Sequence, residues 1–268
     1  MLNPSQSTFL KVTAVAAFVA FSAVGPYVFY RDHQLKELKE LKEPVQAMES
    51  LPDFAAIQNV AEKKRAFFDY LRPMVALENQ RVLEERSFLE SLDMANLSKK
   101  QSARLDKLAS RYDVTLSIEE ASEDSINELL VRANVLPEAL VMIQAANESA
   151  WGTSRFARQA NNLFGQWCYT PGCGVVPLER DQGAFHEVAK FSSVQDSVHG
   201  YFMNVNRNRA YKELREIRAT LDMQGRDLQS VSVATELTNG LLSYSERGQD
   251  YVDDLQAMIR HNAEFWTN

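Results

Sequence analysis

The sequence predicts a predominantly α-helical α+β fold that carries one small β-hairpin. Ten glycines and eight prolines in 268 residues leave long uninterrupted stretches. Apolar residues recur at helical spacing through most of these stretches. Only residues 174–191 alternate as a pair of strands does, around Gly183. The length admits one large domain or two small ones with a substantial core. Net charge is −7, from 29 basic and 36 acidic residues. That balance excludes general nucleic-acid binding, which needs surplus Lys and Arg to displace counterions.

Taken in order, residues 12–30 hold no charge and lie between Lys11 and Arg31. Their length sits between a long signal-peptide core and a short membrane helix. Cleavage after Ala23 would place Phe21 where a small side chain is preferred. Residues 1–30 therefore read as an uncleaved anchor in the inner membrane, with a cleaved signal peptide as the alternative. Arg31, Lys36, Lys39 and Lys42 follow the segment, which by the positive-inside rule would hold the chain in the cytoplasm.

Residues 31–133 form a helical N-terminal region. His33 to Lys42 alternates Glu and Lys as a solvated stalk does. Phe54, Ile57, Ala61, Phe67, Phe68 and Leu71 make an amphipathic helix, and Pro73 predicts a kink or break before a second helix over 74–94. Ser98 is the expected N-cap of a helix to about Tyr112. Ser125 is the expected cap of another, with Glu128 completing a capping box. Leu35, Leu38 and Leu41 are too few for a secure coiled coil, so a monomer is expected.

The third region, 134–268, is organised around 136–167. Pro137 suits a first helical turn, and no further Gly or Pro intervenes until Gly152. Gly152 is the expected left-handed stop, which puts Glu148 and Trp151 in the last turn. An acid there opposes the helix dipole, and beside an indole and small apolar residues it should hold its proton unusually well. A carboxyl kept neutral near pH 7 is what a general acid needs. The competing reading is an exposed acid at a helix end.

Cys168 and Cys173 are the only cysteines. The intervening Tyr-Thr-Pro-Gly predicts a tight turn at Pro171-Gly172 that brings them within bridging range. An isolated close pair reads as an extracytoplasmic disulfide rather than a metal site, since His186 and His199 have no partners at ligand spacing. That favours export, against the charge bias after residue 30. The hairpin brings Glu179, Asp181 and Glu187, with Asp196 behind it, so a second carboxylate can face Glu148 across a cleft. Helices follow over 194–204, 227–242 and 249–264, with Tyr244 in the last loop. A helix-rich domain with one hairpin placed after a single-acid helix is the layout of lysozyme-like folds.

The run AANESAWGTSRFARQANNLFGQW resembles the signature of the bacterial glucosaminidase family, glycoside hydrolase family 73, through Glu148, Ser149, Trp151, Gly152, Ser154 and Leu163-Phe164-Gly165. WCYTPGCG and VAKFSS are similar to the Bax-type members of Gram-negative bacteria. The resemblance covers about 135–265. It implies that a peptidoglycan glycan strand is the partner, cut at the β-1,4 bond after N-acetylglucosamine without a cofactor or metal. It implies Glu148 as general acid, Glu179 as second acid with Asp181 and Glu187 as rivals, and a tyrosine at the site. The family's late Gly-Tyr-Ala-Thr-Asp-x-x-Tyr pattern is altered here, so Tyr244 or Tyr251 can take that place, and Tyr244 is preferred. For Tyr251 packing is the stronger alternative. Trp151, Asn162, Phe164 and Tyr251 are the expected sugar contacts. The expected location is the periplasm, on the inner membrane. A weakly catalytic wall-binding protein and a lytic transglycosylase are the alternatives.

Overall fold

The structure, a computed structural model, describes residues 36, 51–116, 123–178, 180, 183 and 185–266. The apolar segment 12–30 lies outside them, as does the stalk apart from Lys36, which is helical. Among the described residues no helix is long and apolar enough to cross a membrane. Helices and a small antiparallel sheet make the predominantly α architecture that the sequence predicts.

Helix α1 (Val60–Glu90) is capped by Asn59, whose side chain accepts from the Glu62 N–H. It runs on through Pro73, where a kink or break was expected. Proline forfeits one helical bond and costs about 3 kcal/mol. Phe67, Phe68 and Leu71 before it and Met74, Val75 and Leu77 after it are all buried in one cluster, and their packing outweighs that cost. Helix α2 (Lys99–Tyr112) has the expected Ser98 cap, closed as a capping box by Gln101. Helix α3 (Glu123–Arg132) starts two residues before Ser125, so Ser125 lies inside the first turn instead of capping it.

Helix α4 (Glu138–Ser149) is the centre of the molecule. Residues 139 to 146 are all buried, as befits a helix that is apolar nearly all round. It packs against α1 and against two later helices, α8 (Val231–Leu237) and α9 (Gln249–His261). The boundary at 133/134 therefore divides sequence signal, while in packing α1 shares a core with α4. A second cluster, with Leu89, Leu105, Leu108, Tyr112 and Leu129, joins the end of α1 to α2 and α3.

After α5 (Arg155–Ala160) come β1 (Trp167–Cys168), β2 (Gly174–Val175) and β3 (Glu187–Ala189). The order is β1-β3-β2, with Trp167 opposite Val188 and Gly174 opposite Ala189. The expected hairpin is β2–β3, and β1 joins it as an unanticipated third strand. Gly174 is required, because a Cβ there would lie 2.0 Å from the Val188 carbonyl oxygen.

Helix α6 (Val194–Arg207) extends three residues past its expected end, and α7 (Lys212–Met223) was not anticipated. The helix expected over 227–242 is instead α8 followed by a 3₁₀ turn, Thr238–Leu241. Ser230 caps α8, and Gly240 sits so close to α7 that a Cβ would be 2.3 Å from the Leu214 Cα. The last helix, α9, gives way at Asn262 to a 3₁₀ turn, Ala263–Phe265, three residues short of its expected end. Fully buried Arg218 of α7 ties these parts together. Its guanidinium donates to the carbonyls of Val131, Arg132, Asn134 and Val135 and to Asn206 Oδ1.

Candidate active site

The site starts at the end of α4. The helix stops at Ser149, and Ala150, Trp151 and Gly152 follow with φ of 50°, 57° and 76°. Three successive left-handed residues are costly for L-amino acids and need support. Ser149 supplies it, since its hydroxyl donates to the Ala145 carbonyl at 2.6 Å and accepts from the Gly152 N–H at 2.8 Å. The Trp151 N–H donates to Ala146 O at 2.9 Å. Gly152 is thus the third left-handed residue and not the first, so Trp151 lies just beyond the helix while Glu148 is in its last turn.

Glu148 is half-buried. Its Oε1 accepts from the Tyr251 hydroxyl at 2.9 Å and from Asn147 Nδ2 at 3.4 Å. Its Oε2 has no hydrogen-bond partner among the described residues and lies 3.4 Å from where a Cβ on Gly165 would stand. Burial raises the carboxyl above its ordinary range, and the bonds from Tyr251 and Asn147 pull it back only in part. The indole expected to help is turned elsewhere. Trp151 packs edge-on against Phe67 and Phe68, with Lys64 over its ring. Tyrosines surround the acid instead. Tyr201, Tyr211, Tyr244 and Tyr251 are all held neutral, chiefly by burial, and the Glu148 charge pushes each further the same way.

The two candidate tyrosines divide the work. Tyr251, for which packing seemed the better reading, is buried and also touches the acid. Tyr244, the preferred one, donates to the Phe164 carbonyl at 2.8 Å and stacks parallel on Tyr251, with ring centroids 5.6 Å apart. It holds the Leu-Phe-Gly turn against Tyr251. Asn162 and Phe164, expected at the sugar, are each 1% exposed. Asn162 bonds the backbone of Phe164, Gln166 and Ala189, and Phe164 stacks on Tyr201 at 4.2 Å. These residues shape the turn that carries Gly165 past Glu148.

On the sheet, Cys168 and Cys173 are bonded, with Cα atoms 6.2 Å apart. The Cys173 N–H reaches back to Thr170 O, and Gly172 has φ +81°, as a type II turn requires. Glu187, a rival for the second acid, has both carboxylate oxygens engaged within the sheet. Its carboxylate accepts from the N–H groups of Gly172 at 3.0 Å and Gly174 at 2.8 Å, and these hold its carboxyl below the usual range. It clamps the disulfide loop onto β3. The two sulfurs and Glu187 lie within 4.8 Å of one another, but a disulfide has no thiolate to offer a metal. Asp196 is exposed in the first turn of α6, while Glu179 and Asp181 lie outside the described residues.

Sequence reasoning missed Gln144 and Tyr201. Gln144 is a lone amide on the buried helix α4, and a polar residue in an apolar helix is the signal that marks it. It also missed Trp167, 55% exposed and stacked flat on His186 at 4.0 Å.

Comparison with known proteins identifies the family. Residues 123–264 match the glucosaminidase family, described as mannosyl-glycoprotein endo-β-N-acetylglucosaminidase. The chain is similar to the protein bax of Escherichia coli strain K12, at 34% identity over 214 residues, covering 80% of this chain and 74% of that protein. No solved structure matches. With an acid at the end of a buried helix, a tyrosine on that acid and a small sheet beside them, the chain belongs to the glucosaminidase family of glycosidases.

Proposed function

We propose that this protein is a peptidoglycan hydrolase that cuts the glycan strand at the β-1,4 bond after N-acetylglucosamine, with Glu148 as general acid. One observation carries the reading: Glu148 holds its proton more tightly than an ordinary carboxyl, with one oxygen engaged and the other unengaged among the described residues. A general acid must be protonated before the reaction and able to release that proton to the leaving oxygen. Glu179 is the proposed base that activates water, and substrate acetamide assistance is the route that needs no second carboxylate. Tyr251 takes the site role first given to Tyr244. Trp167, flat and exposed beside this turn, offers a face on which a sugar ring can stack.

The disulfide and the apolar segment 12–30 support a periplasmic location with an inner-membrane anchor. A monomer that contacts no nucleic acid remains the proposed state. A second reading, a lytic transglycosylase, is favoured by the engagement of Glu187, because ring closure onto a neighbouring hydroxyl needs only one acid. Incubating the purified chain with peptidoglycan sacculi and identifying the released fragments by mass spectrometry tests the reading. Reducing N-acetylglucosamine ends are expected. Anhydro sugar ends would replace hydrolysis by transglycosylation, and wall binding with no soluble fragment would leave a binding protein.

A further inference from the structure

The buried amide of Gln144 stands one turn before Glu148 on α4 and belongs to a chain of hydrogen bonds that ends on the acid. The Tyr201 hydroxyl donates to Gln144 Oε1. Gln144 Nε2 donates to the Tyr251 hydroxyl oxygen at 3.0 Å, and Tyr251 donates to Glu148 Oε1 at 2.9 Å. Gln144 and Tyr201 are both fully buried, so no solvent competes for these groups.

The directions in this chain follow from counting protons. A phenol has one proton to give, and an amide presents a donor on one side and an acceptor on the other. If the amide were turned over, Tyr251 would spend its proton on Gln144 and have none for Glu148. Tyr201 would then receive the amide N–H, and its own buried proton would have no acceptor among the described residues, which is a costly state. Tyr201 therefore locks the amide, the amide makes Tyr251 an acceptor on its inner side, and Tyr251 must donate outward.

We propose that Gln144 and Tyr201 are positioning residues that commit the Tyr251 proton to Oε1 of Glu148, so that Oε2, beside Gly165, is the oxygen that carries the catalytic proton. The inference rests on Glu148 being the acid of the proposed function. With Oε1 already accepting two hydrogen bonds, the proton of the neutral acid resides on Oε2. When the bond between the sugar carbon and the glycosidic oxygen breaks, its electron pair goes to that oxygen, which takes the proton from Oε2, and the sugar carbon bonds instead to water or to the substrate's own acetamide oxygen. The carboxylate left behind is then met by the Tyr251 donor without any rearrangement. Among the described residues, the groups that face the acid are the phenols of Tyr201, Tyr211, Tyr244 and Tyr251 and the amide of Asn147. No salt bridge to Glu148 exists among the described residues, so orientation of a neutral donor is the lever the protein has.

The test titrates Glu148 in full-length protein labelled with carbon-13 at glutamate side-chain carboxyls, its signal assigned by its loss in Glu148→Gln. Tyr251→Phe removes the donor to the charged form and is expected to raise the midpoint by about one pH unit. Tyr201→Phe removes only a remote hydroxyl, frees the amide to turn, and is expected to raise the midpoint in the same direction. Because both act through one bond, the double variant should titrate no higher than Tyr251→Phe alone. A Glu148 midpoint unmoved by Tyr201→Phe, or shifts that simply add, would overturn the proposal. Should Tyr201→Phe lose its fold by circular dichroism, Gln144→Glu is the second variant. Its carboxylate would draw the Tyr251 proton inward, and its charge alone also raises the Glu148 midpoint. The rise is therefore compared with that in the Tyr251→Phe background, where it should be smaller. An equal rise in the two backgrounds would overturn the proposal. The titration needs no substrate, so a Glu148→Gln protein that still cuts peptidoglycan would defeat the functional reading and leave this result interpretable.

Discussion

Replacing Gly152 with alanine probes the turn on which the acid depends. Gly152 has φ +76°, a conformation that costs a residue with a Cβ roughly 1–2 kcal/mol. The added methyl would also stand 2.6 Å from Phe54 Cδ2, 3.0 Å from Phe54 Cε2 and 3.3 Å from Phe67 Cε2. Both rings are buried and packed edge-on at 5.4 Å, so neither can swing away, and overpacking of this kind costs about 1–3 kcal/mol. The sum is a loss of about 2–5 kcal/mol. For a protein of this size that lowers the melting temperature by roughly 5–15 °C. Urea denaturation of the two purified proteins measures the difference directly. Gly172→Ala is the control, since φ there is +81° but nothing lies within 4 Å of the new methyl. It should lose only about 1 kcal/mol. Adding Phe54→Leu to Gly152→Ala should recover part of the loss by making room. A Gly152→Ala protein within about 0.5 kcal/mol of the parent would refute this reading of the turn.

Arg218→Met strips the donor from four backbone carbonyls and Asn206 Oδ1 inside the joint of α3, α6 and α7, and should destabilise by at least about 3 kcal/mol in the same denaturation assay. Glu187→Gln should loosen the disulfide loop at neutral pH, as read by amide hydrogen exchange at Gly172 and Gly174. The Glu187 carboxyl is held below its ordinary range, so its stabilisation is present above the unfolded value and fades as pH falls through the lower folded value. The difference between parent and variant should therefore shrink in acid. Trp167→Ala should weaken pull-down by peptidoglycan sacculi several-fold while leaving the melting temperature within about 2 °C, because the ring is half exposed and stacks on His186.

Much of this was legible in the residues themselves. The helix ending near Glu148, the Ser98 cap and the Thr170–Cys173 turn each follow from local chemistry, and the structure has them. What the sequence concealed was settled by packing at a distance. Pro73 promises a break, and the helix continues because both of its neighbouring turns are buried in the core that α1 shares with α4. Gly240 lies in the 3₁₀ turn after α8, where the backbone of Leu214, far back in the chain and on another helix, leaves no room for a side chain. At the site, Trp151 and Glu148 are close in sequence, yet the left-handed turn between them sends the indole toward Phe67 and Phe68. The sequence reading prefers Tyr244, yet Tyr251 is the one on Glu148, because which tyrosine reaches the acid depends on how α9 docks against α4. Glu187 and Glu148 look alike in sequence. Two glycine N–H groups lower the one, and burial raises the other.

Donation of the proton by Glu148 is tested most directly by the pH dependence of muropeptide release, compared between the parent protein and Glu148→Gln. A general acid works while protonated, so release should fall as pH rises through the Glu148 value, which burial places above the ordinary carboxylate range. The amide that replaces the carboxyl keeps its shape and has no acidic proton to give, so release should drop about 10²–10⁴-fold and lose that alkaline limb. Cutting by Glu148→Gln at the parent rate, with the same limb, would contradict the assignment.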